Sequence, residues 1–194
     1  MKFTITKPRK VYSGFLKIVE ADVEYDSFQG GERISAKREM MDRGDSVAVL
    51  LYEKDTHSIL LTNQFRYPAA EKDVASGMEN AGWLLELPAG GLHTGEDPID
   101  AAKREVHEEL GYELGDLEHI YSFYVSPGGT SERIHVYYGE VNSTDKTSEG
   151  GGLASEKEDI RLVRLSIEKT KQSLADGSIR DGKTILALLW WLKN

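Results

Sequence analysis

The chain has 194 residues, 39% hydrophobic and 29% charged, which predicts one folded domain with at most a small appendage and excludes a disordered chain. Its 24 basic and 33 acidic residues give a net charge of −9, so we expect no nucleic-acid partner, since a polyanion needs a basic footprint. The absence of cysteine excludes disulfides and thiolate sites. The N-terminus is polar and the sequence has no apolar run of about 20 residues, so we predict a cytoplasmic protein without a membrane partner.

The first third of the sequence predicts β-structure, because apolar residues alternate there between turn-forming segments. The predicted strands cover residues 15–25, 33–41, 46–52 and 58–62. The polar stretch 71–82 predicts a loop. We predict an N-terminal β region over residues 1–43 and a main domain over residues 44–194.

Asp97 and Pro98 predict the start of a helix, since an N-cap side chain is followed by a proline whose missing N–H is not needed there. Gly111 predicts its end. The polar segment 142–157 has three glycines at its centre and predicts a mobile loop that does not pack by itself. Further strands are predicted over 120–125, 134–141 and 160–165, and further helices over 166–175 and 182–193. Together these elements predict an α/β or α+β fold in which helices cover a mixed sheet.

The helix after Asp97 carries an unusual number of carboxylates. Glu105, Glu108 and Glu109 fall on neighbouring turns, next to a predicted apolar stripe. Like charges at this spacing repel, so a cation is expected beside them, and a ligand set made only of oxygens suits Mg²⁺ or Mn²⁺ rather than zinc. A solvated acidic helix face is the alternative. The predicted stripe consists of Ile99, Ala102, Val106 and Leu110.

The spacing of these residues matches a known motif. Gly90 is followed after five residues by Glu96, and after seven more by Arg104-Glu105-Val106; Glu108-Glu109 and Gly111-Tyr112 complete the pattern. This pattern resembles the Nudix box of the Nudix hydrolases, with Tyr112 where a smaller aliphatic residue is usual. The resemblance implies an α/β/α sandwich with a mixed sheet, a small N-terminal antiparallel sheet and a bound divalent metal.

The resemblance extends beyond the box to the bacterial ADP-ribose pyrophosphatases. Segments 64–66, 126–133 and 153–160 are similar to segments of that group, whereas 150–152 and 179–184 resemble the related GDP-mannose pyrophosphatases. It implies a Mg²⁺-dependent enzyme that hydrolyses ADP-ribose to AMP and ribose 5-phosphate, with Mn²⁺ as a substitute metal. It also implies a homodimer formed through the N-terminal β region, residues 1–43. GDP-mannose or another nucleotide sugar is the alternative substrate. A catalytically silent nucleotide-sugar-binding module and an acidic structural protein are the alternatives of other classes.

The resemblance also implies roles for individual residues. Glu156 would be the base that activates water, and Arg104 would position a carboxylate of the box. The alternative for Glu156 is a solvated loop residue, for Arg38 and Arg66 a surface ion pair, and for Phe15 a core position. The implied metal ligands are Glu105, Glu108, Glu109, Glu158 and the carbonyl of Ala89. The implied substrate-binding residues are Phe15, Arg38, Arg66, Gly129 and Glu132.

Overall fold

The computed structural model describes all residues, 1–194. The chain forms two compact units. The smaller unit contains residues 1–45 and 123–133, and the larger contains residues 46–122 and 134–194. None of the four helices has the length and the apolar character that a membrane-spanning helix requires.

The smaller unit is built on a three-stranded antiparallel sheet with the order β1-β2-β3. Its strands are β1 (Phe3–Ser13), β2 (Lys17–Tyr25) and β3 (Ile34–Met41). The second and third strands were predicted, and the small antiparallel sheet is confirmed. The first was not, because Lys7 to Lys10 interrupt any alternation, and the register shifts between Thr6 and Arg9, where Lys7 has a φ of 51°.

The larger unit is built on a sheet with the order β10-β5-β4-β9-β8, in which β6 also pairs with β5 and β7 with β4. Strands β4 and β9 run parallel whereas β4 and β5 run antiparallel, so the sheet is mixed. The strands are β4 (Ser46–Glu53), β5 (Ser58–Phe65), β6 (Trp83–Glu86), β7 (Ala89–Gly91), β8 (Glu118–Tyr124), β9 (Arg133–Val141) and β10 (Arg161–Ser166). The helices are α1 (Tyr67–Ala75), α2 (Pro98–Leu110), α3 (Ile167–Ala175) and α4 (Gly182–Lys193).

Both faces of the larger sheet are covered by helices. Val49 and Leu51 of β4 belong to a buried cluster with Val106 of α2. Because side chains alternate along a strand, Tyr52 lies on the opposite face, where its ring centroid is 5.4 Å from that of Trp191 in α4. The α/β/α sandwich is therefore confirmed.

The prediction of a loop over residues 71–82 is wrong for its first part, which continues helix α1 to Ala75. Asp73 is buried there and accepts two hydrogen bonds from Arg180, at 2.6 and 2.8 Å, and one from the N–H of Gly82. The hydrogen bonds from Arg180 hold the pKa of Asp73 at about 2. The sequence did not indicate this part of the helix, because Arg180, which binds Asp73, lies 107 positions further along the chain.

Candidate active site

Helix α2 is delimited as its sequence predicts. The Asp97 carboxylate accepts a hydrogen bond from the N–H of Ile99 at 2.8 Å, and Gly111 closes the helix with a φ of 78°. Ala102 and Val106 are fully buried, but Ile99 is 40% exposed, so its place in the apolar stripe is wrong. It lies in the first turn of the helix, and Ala101 takes the buried position instead.

Two of the three predicted glutamates are buried against strand β7. Glu109 is only 3% exposed and accepts a hydrogen bond from the N–H of Ala89 at 3.1 Å. The carboxylate of Glu105 lies directly over Gly90, where an added Cβ would be 2.0 Å from it. Glu108 is half-buried. A solvated acidic face is thereby excluded for Glu105 and Glu109.

The burial of these carboxylates changes their electrostatics. Burial, followed by the charges of Glu105 and Glu158, raises the pKa of Glu109 to about 8. Burial also raises the pKa of Glu105, and the charges of Glu108 and Glu158 add to this effect. A cation beside these groups would stabilise their ionised forms.

Arg104 binds three of the glutamates in the Nudix box. Its guanidinium donates hydrogen bonds to Glu96 (2.9 Å), Glu105 (2.7 Å) and Glu108 (3.2 Å), and to the carbonyl of Gly91 (3.2 Å). The hydrogen bond from Arg104 is the main reason why the pKa of Glu96 falls to about 2. Arg104 thus fixes the rotamers of the carboxylates rather than facing solvent.

Residues 150–152, at the centre of the segment predicted to be a mobile loop, dock against the C-terminal end of α2 through backbone hydrogen bonds, and we call them the docked segment. The N–H groups of Gly151 and Gly152 donate to the carbonyls of Glu109 and Glu108, at 2.9 and 3.0 Å. Gly150 has a φ of 69°, and a Cβ there would be 2.6 Å from the carbonyl oxygen of Glu109. From the sequence, the three glycines were interpreted as a source of mobility. In the structure they let the backbone approach the last carbonyls of α2, which need hydrogen-bond donors.

This docked segment leads to the two acidic residues predicted beyond the box. Glu158 is half-buried and accepts a hydrogen bond from the N–H of Leu153 at 3.0 Å, and its charge acts on Glu105 and Glu109. Glu156 ends a short 3₁₀ turn, is exposed and makes no side-chain hydrogen bond or ion pair. The structure therefore groups Glu158 with the box carboxylates and leaves Glu156 unengaged in solvent.

No group of three His, Asp or Glu side chains is arranged to hold a metal ion as the structure stands. Arg104 and the N–H groups of Ala89 and Leu153 bind the carboxylate oxygens instead. The donor set nevertheless fits a hard cation, since it contains only oxygens and two of its carboxylates are buried with raised pKa values.

Arg66 is held beside this site by residues that the sequence did not single out for function. Its guanidinium donates two hydrogen bonds to Glu86, at 2.8 and 3.0 Å, and its charge acts on Glu109. Glu86 is 3% exposed and also accepts a hydrogen bond from Lys183. Burial alone would raise the pKa of Glu86, but Arg66 and Lys183 hold it below its usual value.

Lys183 is positioned by the first turn of α4. The N-cap Asp181 accepts hydrogen bonds from the N–H and hydroxyl groups of Thr184, at 3.0 and 2.6 Å, and lies 3.1 Å from the Lys183 ammonium. The Thr184 hydroxyl in turn accepts from the N–H of Leu87 at 2.9 Å. The Asp-Gly-Lys-Thr stretch, residues 181–184, therefore ties α4 to the segment that leads into Ala89.

Tyr112, the residue that departs from the family pattern, is fully buried. Its hydroxyl donates to the buried Glu53 and accepts from Arg164 at 2.6 Å. Arg164 also donates to Glu53 at 2.9 Å. Tyr112 therefore has a packing role, and its hydroxyl links the end of α2 to strands β4 and β10.

The four remaining predicted residues lie in the smaller unit. Phe15 is 92% exposed, which excludes the core alternative, and its ring centroid is 5.8 Å from the Arg43 guanidinium carbon. Glu132 lies 3.8 Å from Arg43. Arg38 donates a long hydrogen bond to the hydroxyl of Tyr25 at 3.5 Å. Phe15 and Glu132 therefore both lie beside Arg43. The carbonyl of Gly129 accepts a hydrogen bond from the N–H of Met41 at 2.8 Å.

The comparisons with known proteins agree with this geometry. A family model described as the NUDIX domain matches residues 42–186. The chain belongs to the Nudix family. Among its curated Nudix relatives, an ADP-ribose pyrophosphatase of Haemophilus influenzae is 36% identical over 184 residues, which is 95% of this chain and 83% of the relative. A GDP-mannose pyrophosphatase of Citrobacter koseri is 33% identical over 188 residues, 96% of this chain and 93% of the relative.

A solved structure gives the same result for the Nudix fold. A crystal structure titled as that of an ADP compounds hydrolase superposes with a TM-score of 0.72 and covers 100% of this chain and 95% of its own. The two chains are 20% identical, so this likeness supports the fold. As a Nudix hydrolase, the protein cleaves phosphoric anhydride bonds and has the residues to hold a divalent metal.

Proposed function

We propose that this protein is a Mg²⁺-dependent pyrophosphatase that hydrolyses ADP-ribose to AMP and ribose 5-phosphate. The observation that carries the proposal is the burial of Glu105 and Glu109 against β7, next to a positioned Arg104 and in a Nudix box. The relatives' names support a nucleotide-sugar substrate. A catalytically silent module has no use for buried carboxylates that repel one another.

The metal would be held by carboxylates of α2 and by Glu158, which lies just beyond the docked segment. We assign Glu105, Glu108, Glu109, Glu158 and the carbonyl of Ala89 to it. When bound, a divalent ion supplies charge neutralisation for the diphosphate and lowers the pKa of a bound water. Mn²⁺, with the same preference for oxygen ligands, would substitute for Mg²⁺.

The chain's own groups would bind the substrate and move the proton. Arg66 uses two of its five N–H donors on Glu86, which leaves the others for phosphate oxygens. Glu156 has no hydrogen-bonding partner and stands on a turn preceding Glu158, so its carboxylate is free to take the proton of the attacking water. Phe15, Arg38, Gly129 and Glu132 remain proposed contacts for the base and sugar.

We also propose a homodimer formed through residues 1–43. All of β1 is exposed, including Phe3, Ile5 and Tyr12, and an exposed edge strand with apolar side chains is a ready surface for a second chain. Light scattering should give twice the chain mass of 21.7 kDa. A monomer at micromolar concentration would contradict the dimer. The cytoplasmic location stays a prediction from the sequence.

The experiment that tests the activity is a comparison of initial rates on ADP-ribose, GDP-mannose and other nucleoside diphosphate sugars, with Mg²⁺ and with EDTA. We expect ADP-ribose to be turned over fastest, with AMP as product and no reaction in EDTA. Glu156→Gln should reduce turnover by about 100-fold or more without changing the melting temperature. A loss of rate no larger than that of Glu168→Gln, an exposed control on α3, would contradict its role as base.

GDP-mannose is the second candidate substrate. The relative with that name is 33% identical to this chain, close to the 36% of the ADP-ribose pyrophosphatase. A higher kcat/KM for GDP-mannose than for ADP-ribose would reverse the order of the two.

A further inference from the structure

The larger unit contains a cavity of about 780 Å³ that the proposed hydrolysis does not use. Three residues that lie side by side on neighbouring strands form its floor. Arg161 of β10 pairs with Asn63 of β5, and Asn63 pairs with Leu85 of β6. Cross-strand partners of this kind share one face of the sheet. The walls come from two connecting segments, 78–80 and 176–180.

The cavity opens on the face of the sheet that is opposite the carboxylates of α2. Leu60 and Leu162, on β5 and β10, pack into the buried cluster beneath α2. Asn63 and Arg161 stand an odd number of positions from them, so their side chains point to the other face. Binding in this cavity therefore does not depend on the activity of the Nudix box.

Two polar groups on the cavity floor have no partner within the protein. The side-chain carbonyl oxygen of Asn63 is buried and accepts no hydrogen bond, which costs free energy. Because the terminal torsion of asparagine is broad, rotation of the amide would bring this oxygen to the cavity, where a water or ligand can supply a donor. The guanidinium of Arg161 is exposed and makes no side-chain hydrogen bond or ion pair. The fold itself uses neither group.

The other lining residues narrow the kind of ligand. Trp83, on the same face as Leu85 and 43% exposed, presents an aromatic surface on which a planar ring can stack. A side-chain amide such as that of Asn63 pairs with the donor and acceptor edge of a base, and a guanidinium suits phosphate oxygens. Glu79, Asp159 and Asp176 also line the cavity; their carboxylates can accept hydrogen bonds from ribose hydroxyls, and their charge opposes a diphosphate or triphosphate more strongly than a monophosphate.

From this combination we propose that the cavity is a second nucleotide site that binds a nucleoside 5′-monophosphate. The volume is within the range of small-molecule sites. Arg161 would contact the phosphate, Asn63 the edge of the base and Trp83 its face.

Isothermal titration calorimetry with AMP as probe tests the site, performed in EDTA so that no metal is present at the Nudix box. We expect one AMP per chain for the wild-type protein. Arg161→Met and Asn63→Leu should each weaken binding roughly tenfold or more. Lys171→Met, which removes an exposed unpaired cation from α3, should leave binding unchanged.

Two further measurements separate the site from a structural effect. Asn63→Leu should keep or raise the melting temperature, because it removes a buried unsatisfied oxygen. Adenosine and ribose 5-phosphate should each bind more weakly than AMP. The proposal is overturned if AMP does not bind at millimolar concentration, if binding survives both floor substitutions, or if ribose 5-phosphate binds as tightly as AMP. Because hydrolysis is assayed separately with Mg²⁺, these outcomes do not depend on whether ADP-ribose is the substrate.

Discussion

Replacing Gly90 by alanine should nearly abolish hydrolysis while leaving the fold intact. The added Cβ would be 2.0 Å from the carboxylate of Glu105, whereas ordinary contacts begin at 3.4 Å. The atoms in the way are the end of a flexible side chain, and Gly90 has no positive φ. The backbone therefore stays and the carboxylate moves by about 1.4 Å, away from the position in which Arg104 holds it.

A displacement of about 1 Å in a catalytic group costs on the order of 100-fold in rate, which corresponds to about 2.7 kcal/mol of transition-state stabilisation. The assay is kcat/KM for ADP-ribose with Mg²⁺, together with the melting temperature. Gly91→Ala is the matched control, because nothing lies within 4 Å of a Cβ at that position. Wild-type rates for Gly90→Ala, or an equal loss for Gly91→Ala, would refute the placement of Glu105 in the site.

Three more perturbations follow from the structure. Lys183→Met should lower kcat/KM roughly tenfold, mainly through a higher KM, because the Glu86 carboxylate that holds Arg66 loses its second cation. Lys183→Arg should restore most of the loss. Unchanged kinetics of Lys183→Met would contradict the connection between Lys183 and Arg66. The native pKa of Asp73 is about 2, against an ordinary 3.8, so its pairing with Arg180 stabilises the fold fully above about pH 4 and less as the pH falls toward 2. Acid titration should show that the difference in unfolding free energy between the wild type and Asp73→Asn shrinks over that range of pH. A constant difference would be inconsistent with the ion pair. Tyr112→Phe should lower the free energy of unfolding in urea by about 1–3 kcal/mol with kcat unchanged, and an unaltered urea midpoint would argue against the buried network.

The carboxylate site could be predicted in large part because its signals are local. Glu105 and Glu109 lie one helical turn apart beside buried residues, and Asp97 and Gly111 mark the ends of the helix within 15 residues. Local spacing and capping chemistry fix which face of such a helix is buried. The same reasoning placed Ile99 wrongly, because spacing alone does not show where the sheet under a helix ends.

The parts that escaped prediction depend on partners far apart in the sequence. Helix α1 was missed because Asp73 pairs with Arg180, and Glu86 was missed because its partner Lys183 lies 97 positions away. The glycines over 150–152 were seen but misread, since the sequence does not show that helix carbonyls lie against them. Such contacts exist only once the sheet has brought α4 and the docked segment beside β6 and α2.

The central claim is that the buried glutamates of α2 bind a divalent cation. The most direct test is calorimetric titration of Mn²⁺ and Mg²⁺ into the wild-type protein and into Glu109→Gln, which keeps the side chain's shape but removes its charge. We predict binding to the wild-type protein below millimolar concentration and a loss of about tenfold or more in the variant, with the two melting temperatures alike in EDTA. No binding to the wild-type protein, with or without nucleotide, or equal binding to both proteins, would contradict the claim.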